Sequence, residues 1–106
     1  MRRGTICWVN LEPSTPPEFG KTRPAVVVSN TVQNEILDTV VVVPLSTKPK
    51  AIWPLRLQVK TPDGKDAYAV LPGIRQVDKR RLIGAMGVAS PAFLRELDGA
   101  LIAYLT

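Results

Sequence analysis

Thr39-Val40-Val41-Val42-Val43-Pro44-Leu45 is the most strongly β-branched run in the chain. Valine loses side-chain freedom in a helix and packs well on a pleated surface, so four in succession predict a strand. No polar residue interrupts Val40 to Val43, and a strand without polar alternation is one covered on both faces. Such a strand belongs in the middle of a sheet. The other compact apolar run, Ala25 to Ser29, opens after Pro24 and is expected to be a central strand as well. Between the two, Asn30 to Leu37 offers Asn30 as a cap and Val32, Ile36 and Leu37 at a weak helical spacing, which fits a short helical turn or a loop.

Working outward toward the N-terminus, Ile6 to Leu11 predicts a further strand, with Gly4 before it and Glu12-Pro13-Ser14-Thr15-Pro16-Pro17-Glu18-Phe19-Gly20 after it. That segment resists regular structure and predicts a long, partly rigid loop. Toward the C-terminus, Leu55 to Lys60 alternates apolar and polar residues, Thr61-Pro62-Asp63-Gly64-Lys65 supplies turn chemistry, and Ala67 to Leu71 returns. This predicts a hairpin with one face in solvent. Pro72-Gly73 then leads into Ile74 to Val77, a charged step Asp78-Lys79-Arg80-Arg81, and Leu82 to Val88. Ser90 is a good N-cap, Pro91 suits the first helical position, and Phe93, Leu94, Leu97, Leu101, Tyr104 and Leu105 recur at three- and four-residue spacing. They predict a terminal helix with one apolar face on the sheet. Many short strands followed by one helix predict a mainly β (α+β) fold, a small curved antiparallel sheet or partly closed barrel.

Composition bounds the function. The length of 106 residues suits one compact domain over 1–106, and 45% hydrophobic with 22% charged residues is an ordinary globular balance. There is no His, which removes imidazole acid-base catalysis, Ser-His-Asp triads and His-ligated metal sites. The one Cys, Cys7, lies between Ile6 and Trp8 and reads as a buried, inert thiol. No cofactor or metal is expected. Met1-Arg2-Arg3-Gly4 lacks the apolar core of a signal peptide, and Val40 to Leu45 is far shorter than the roughly 20 residues that span a bilayer. A cytoplasmic protein without a membrane segment is expected. Fourteen Lys+Arg against nine Asp+Glu leave a charge of +5, with several cations beside expected loops. A polyanion is the natural partner, although a solvated basic surface has the same composition.

Taken together, Arg3-Gly4, Ile6, Trp8-Val9-Asn10-Leu11, Pro13, Glu18, Lys21-Thr22-Arg23-Pro24 with Ala25 to Asn30, Val42-Val43-Pro44-Leu45-Ser46-Thr47, Ile74 to Leu82 and Ser90-Pro91 resemble, in order and spacing, the MazF/PemK/Kid family of toxin endoribonucleases. The resemblance spans nearly the whole chain. It implies an SH3-like barrel with a C-terminal helix, a homodimer, metal-independent cleavage of single-stranded RNA, and silencing by an antitoxin with an acidic, flexible tail. Metal-free cleavage uses the 2′-hydroxyl of the RNA as nucleophile and leaves a 2′,3′-cyclic phosphate or 3′-phosphate and a 5′-hydroxyl. It requires a proton acceptor and charge stabilisation at the phosphorane-like transition state.

By the same resemblance Glu18 is the candidate base and Arg23 the central arginine. A guanidinium has a pKa above about 12 and can hold two phosphate oxygens, so stabilisation suits Arg23 better than proton donation. The donor to the leaving 5′ oxygen stays open. Ser46, where relatives usually carry Thr, or Thr47 beside it offers a hydroxyl to a phosphate oxygen. Phe19, Lys21, Thr22, Lys48, Arg75 and Asp78 are the candidate RNA contacts. Phe19 and Trp53 are aromatic residues in expected loops, where stacking on splayed bases is possible, but Trp53 is expected to pack. Pro72-Gly73 departs from the Asp-Gln that most members carry before Ile-Arg, which removes a carboxylate and an amide from beside Arg75. Two other readings compete: a CcdB-like toxin that binds gyrase without catalysis, and an inactive RNA-binding relative. The ending Leu101-Ile102-Ala103-Tyr104-Leu105-Thr106 lacks the terminal Trp-Gly-Ile type of the former.

Overall fold

The valine run is the strand on which the sheet is built. In the computed structural model, which describes residues 1–106, the elements in chain order are β1 (Thr5–Asn10), β2 (Thr22–Val27), α1 (Thr31–Ile36), β3 (Thr39–Ser46), β4 (Arg56–Lys60), β5 (Asp66–Val70), β6 (Arg75–Asp78), β7 (Leu82–Val88) and α2 (Pro91–Leu105). Short 3₁₀ turns at Leu71–Gly73 and Lys79–Arg81 flank β6. All pairings are antiparallel, in the order β4-β5-β3-β2-β1-β7, with β6 also on β3.

β3 serves three partners because it bends through the barrel. One edge carries β2, with Val42, Val43 and Pro44 opposite Val27, Val26 and Ala25. Along the other edge, Thr39 to Val42 pair with β6 and then Leu45 and Ser46 pair with β5. The strands β4 and β7 remain as unpaired edges, so the SH3-like barrel is not fully closed.

Alternation along β3 feeds two cores. Val43 and Leu45 join Ile6, Val26 and Leu57 beneath Phe93, Leu97 and Ala100 of α2. Val40 and Val42 join Cys7, Val9, Leu11, Ala25, Val27 and Val77 on the opposite face, where Phe19 and Leu82 also pack. Both faces are therefore covered, and each fully buried valine contributes about 1.5–3 kcal/mol relative to exposure. Both helices start at the expected caps: Asn30 Oδ1 accepts from the Val32 amide at 2.8 Å and Ser90 Oγ from the Phe93 amide at 3.1 Å.

Two expectations need correction. Leu105, assigned to the packed stripe of the terminal helix, is exposed, because contact with the sheet in the last turn is made by Leu101 and Tyr104 instead. Trp53, expected to pack, leaves 57% of its surface exposed. Its ring lies above α2 near Gly99, on the rim of the sheet rather than in either core.

Candidate active site

The smaller core ends in a polar rim. The residues it takes from β2 are Ala25 and Val27, from β3 Val40 and Val42, and from β6 Val77. Period-two alternation therefore places Arg23, Ser46 and Arg75 on the same sheet face as that core. Ala25 pairs with Pro44 and Val42 with Arg75. The β2–β3 ladder ends at that first pair, and two residues beyond it Arg23 pairs with Val9 of β1 and Ser46 with Tyr68 of β5, so both lie on the shared face just past the end of the ladder.

Arg23 is half-buried and held on two sides. Its Nε donates to the Gly20 carbonyl at 3.1 Å, and its guanidinium carbon sits 5.1 Å from the centre of the Phe19 ring. The terminal nitrogens form no hydrogen bond or salt bridge within the chain. Those nitrogens are a two-pronged donor presented to solvent, the geometry that matches a phosphate. Arg75, also without an acidic partner, makes one long bond from Nη1 to the Leu11 carbonyl at 3.4 Å. By contrast Arg3 and Arg80 are neutralised by Asp98 and Asp78 at 2.8 and 2.9 Å.

A groove of about 530 Å³ opens beside this face, lined by Pro17, Glu18, Phe19, Val70, Pro72, Gly73, Ile74 and Arg75. Glu18 and Arg75 are its charged groups, and the rest of the wall is apolar or backbone. Glu18 is exposed, and its Oε1 accepts from the Thr15 amide at 2.7 Å while its own amide donates to the Thr15 carbonyl at 2.9 Å. The reciprocal pair fixes the carboxylate at the groove mouth and leaves Oε2 open to a proton or a hydroxyl.

The loop that carries Glu18 is fastened at both ends. The Glu12 carboxylate accepts from the Lys21 amide and the Ser14 hydroxyl. Lys21 turns the chain at φ 63°, and its carbonyl accepts from the Leu11 amide at 2.8 Å. A side chain at Gly20 would strike Ser14 Oγ and Glu12 Oε1, so glycine there leaves the Glu12 carboxylate free to hold the loop. From across the sheet Arg81 donates to the carbonyls of Asn10 and Glu12.

The remaining sequence candidates divide by location. Ser46 lies on the site face at the end of β3, and its Oγ accepts from the Lys48 amide at 3.1 Å. Thr47 and Lys48 are exposed in the following loop, which Arg56 steadies by donating to the carbonyls of Lys48 and Lys50 at 3.1 and 2.9 Å. Lys21 and Thr22 are exposed where the first loop enters β2. Asp78 is not in the groove. It lies at the far end of β6 from Arg75, capping the next 3₁₀ turn through the Arg80 amide. Hydrogen bonds from the Arg80 side chain and backbone hold its carboxyl down at about 2. The signal missed in sequence was the supporting role of Arg56 and Arg81, which shape the two loops around the groove without facing it. Arg56 opens β4 directly after the loop it ties, a local signal, whereas Arg81 precedes β7 and reaches the first loop only through the β1–β7 pairing.

Comparison with known proteins gives a consistent outcome. A family model described as PemK-like, MazF-like toxin of type II toxin-antitoxin system matches residues 2–105. A curated relative, Endoribonuclease MazF9 of Mycobacterium tuberculosis, is 34% identical, the match covering 99% of this chain and 96% of the relative. Among solved structures, MazF from Deinococcus radiodurans superposes with a TM-score of 0.85 at 24% identity, over 99% of this chain and 96% of that one. An endoribonuclease in complex with its cognate antitoxin from a mycobacterial species gives 0.82 at 24% identity, over 99% and 94%.

Proposed function

Because the chain belongs to the PemK-like, MazF-like toxin family of type II toxin-antitoxin systems, as an endoribonuclease of that type, we propose that it cuts single-stranded RNA at the groove between the first loop and the start of β6. The carrying observation is that Glu18 and Arg75 share one groove while Phe19, on its wall, bears the guanidinium of Arg23. The RNA backbone lies against Arg23 and Arg75, and Lys21, Thr22 and Lys48 extend the positive margin. The ribose 2′-oxygen attacks the adjacent phosphorus as Glu18 takes its proton, the bond from phosphorus to the 5′ oxygen breaks, and that oxygen takes up a proton. Charge on the phosphorane-like transition state is met by the free edge of Arg23 and by the Ser46 hydroxyl, whose hydrogen is uncommitted. Thr47 stands next to it at the edge of the site.

No three Cys, Asp or Glu side chains converge where a metal ion could be held, and the donor set of the groove is a carboxylate and cations, which supports a reaction that needs no metal. The protein acts in the cytoplasm on mRNA; no helix in the structure is long and apolar enough to cross a membrane. Homodimerisation is supported by the unpaired edge of β7, a strand on which Ile83 and Val88 are exposed, with Trp8 of the neighbouring β1 also exposed. An antitoxin with an acidic tail is the second partner, supported by the cations around the groove that lack acidic partners in the chain.

The test is to incubate the purified protein with a long unstructured RNA in EDTA and to map both ends of the products. A 5′-hydroxyl and a 2′,3′-cyclic or 3′-phosphate are expected, and 2′-deoxy substitution on the 5′ side of the cut blocks it. Strict dependence on a divalent ion, or efficient cutting of the deoxy substrate, overturns the mechanism.

A further inference from the structure

Phe19 occupies an unusual place for a loop aromatic in a nucleic-acid groove. One face of its ring receives the Arg23 guanidinium, with the guanidinium carbon 5.1 Å from the ring centre. Its edge lies against the Pro72-Gly73 turn. A Cβ built on Gly73 falls 3.2 Å from Phe19 Cδ2 and 2.5 Å from Pro44 Cγ. Pro44 is fully buried and ring-constrained, so it cannot yield. Glycine at 73 therefore lets the turn close on Pro44, and the same missing side chain leaves the Phe19 ring room against the turn. The two positions form a pair: an aromatic residue fills the space that a missing side chain opens.

What this pair does follows from Arg23. An arginine tethered only at Nε still rotates its terminal nitrogens about the last side-chain torsions. A π-face beneath the guanidinium restricts that rotation and attracts the cation. Lowering the reorganisation needed on binding is how a preorganised donor stabilises a transition state. We propose that Phe19, seated against the Pro72-Gly73 turn, is a positioning residue that fixes the Arg23 guanidinium for the transition state rather than a platform on which a base stacks. This rests on the reading of Arg23 as the group that meets the reacting phosphate. It also gives a role to the departure at Pro72-Gly73.

The test uses the whole protein and two independent readouts. The first is the Hε–Nε resonance of Arg23, assigned by its loss in Arg23→Lys. The aromatic ring current shifts it in the wild type; the shift is expected to collapse in Phe19→Leu and to persist in Phe19→Tyr. The second is single-turnover cleavage of the unstructured RNA in EDTA. Phe19→Leu is expected to slow the cleavage step by about tenfold, on the scale of one lost cation–π contact. RNA affinity stays within about twofold and Phe19→Tyr restores the rate. In an Arg23→Ala background Phe19→Leu adds no further loss. Phe19→Met, a second side chain of similar bulk without a π-face, is expected to shift the resonance and the rate in the same direction as Phe19→Leu, so the proposal stands on a second variant should Phe19→Leu melt early. An unmoved resonance, or losses that multiply with Arg23→Ala, overturns it. Weakened RNA affinity at an unchanged rate assigns Phe19 to base stacking and also overturns it. A fully active Arg23→Ala defeats the role given to Arg23, while the resonance reports on the ring and guanidinium alone.

Discussion

The hydroxyl of Ser46 accepts a hydrogen bond from the amide of Lys48 at 3.1 Å, so the last side chain of β3 turns the chain while its O–H hydrogen is committed to no partner within the chain. Thr47 makes no side-chain hydrogen bond and lies outside the strand. Ser46→Ala is therefore expected to slow cleavage clearly more than Thr47→Ala, and Ser46→Thr is expected to recover most of the rate because it keeps the donor. Measured single-turnover rates decide the matter. Equal, near-wild-type rates for both alanine variants would reduce the Ser46 hydroxyl to a turn closure.

Arg23→Ala and Glu18→Ala are each expected to lose cleavage by roughly two or more orders of magnitude, the scale of a lost oxyanion donor or a lost general base. Neither group is buried deeply, and the one hydrogen bond from the Arg23 side chain is local, to Gly20. Melting temperatures should therefore stay close to that of the wild type. Arg23→Lys is the sharper probe: it keeps charge but loses the fork, so a rate close to that of Arg23→Ala shows that geometry and not charge alone matters.

Much of this arrangement is legible in the sequence because its signals are local. The valine run, the caps Asn30 and Ser90, and the alternation of Leu57 and Val59 against Gln58 and Lys60 each carry their meaning within a few residues. What is not legible is long-range. Nothing in Thr39 to Ser46 says that its two halves face different strands on one edge, because a strand's pattern reports burial and not the identity of its partner. Asp78 is a candidate RNA contact by resemblance, but one four-residue strand separates it from Arg75 and the groove and carries it into the hold of Arg80. Leu105 fits the helical spacing and fails only because Tyr104 and Leu101 make the last contacts with the sheet.

Cys7 is 1% exposed within the smaller core, and burial pushes its thiol up to about 11 from an ordinary value near 9. The thiolate is the reactive form, so iodoacetamide at pH 8 is expected to leave the folded protein unmodified and to label it fully in denaturant. The same shift makes stability pH-dependent. Between about pH 9 and 11 the unfolded chain releases the thiol proton while the folded chain retains it, so stability falls as pH rises through that window. Cys7→Val should flatten that part of the denaturation profile. Rapid labelling of the native state would show that the smaller core opens readily.

The final expectation concerns competition for the groove. Lys21, Arg23, Lys48 and Arg75 lack acidic partners in the chain, so their field is directed outward and falls off over a Debye length of roughly 10 Å at 0.1 M salt. An acidic, flexible antitoxin tail and an RNA strand answer to the same field. A tail that folds as it binds can also seat apolar side chains on the groove wall formed by Pro17, Pro72 and Ile74. Charge then governs how fast and how salt-dependently the tail binds, while the apolar anchors hold it. Titrating RNA against the acidic protein at two salt concentrations should give mutually exclusive binding. RNA affinity should drop more steeply with salt than the affinity of the tail, because charge dominates the phosphate contact of RNA whereas apolar anchors share the contact of the tail. Arg75→Ala should weaken both ligands, since Arg75 lies at the groove itself. If both bind at once, and Arg75→Ala affects only RNA, the antitoxin neutralises the enzyme from another surface.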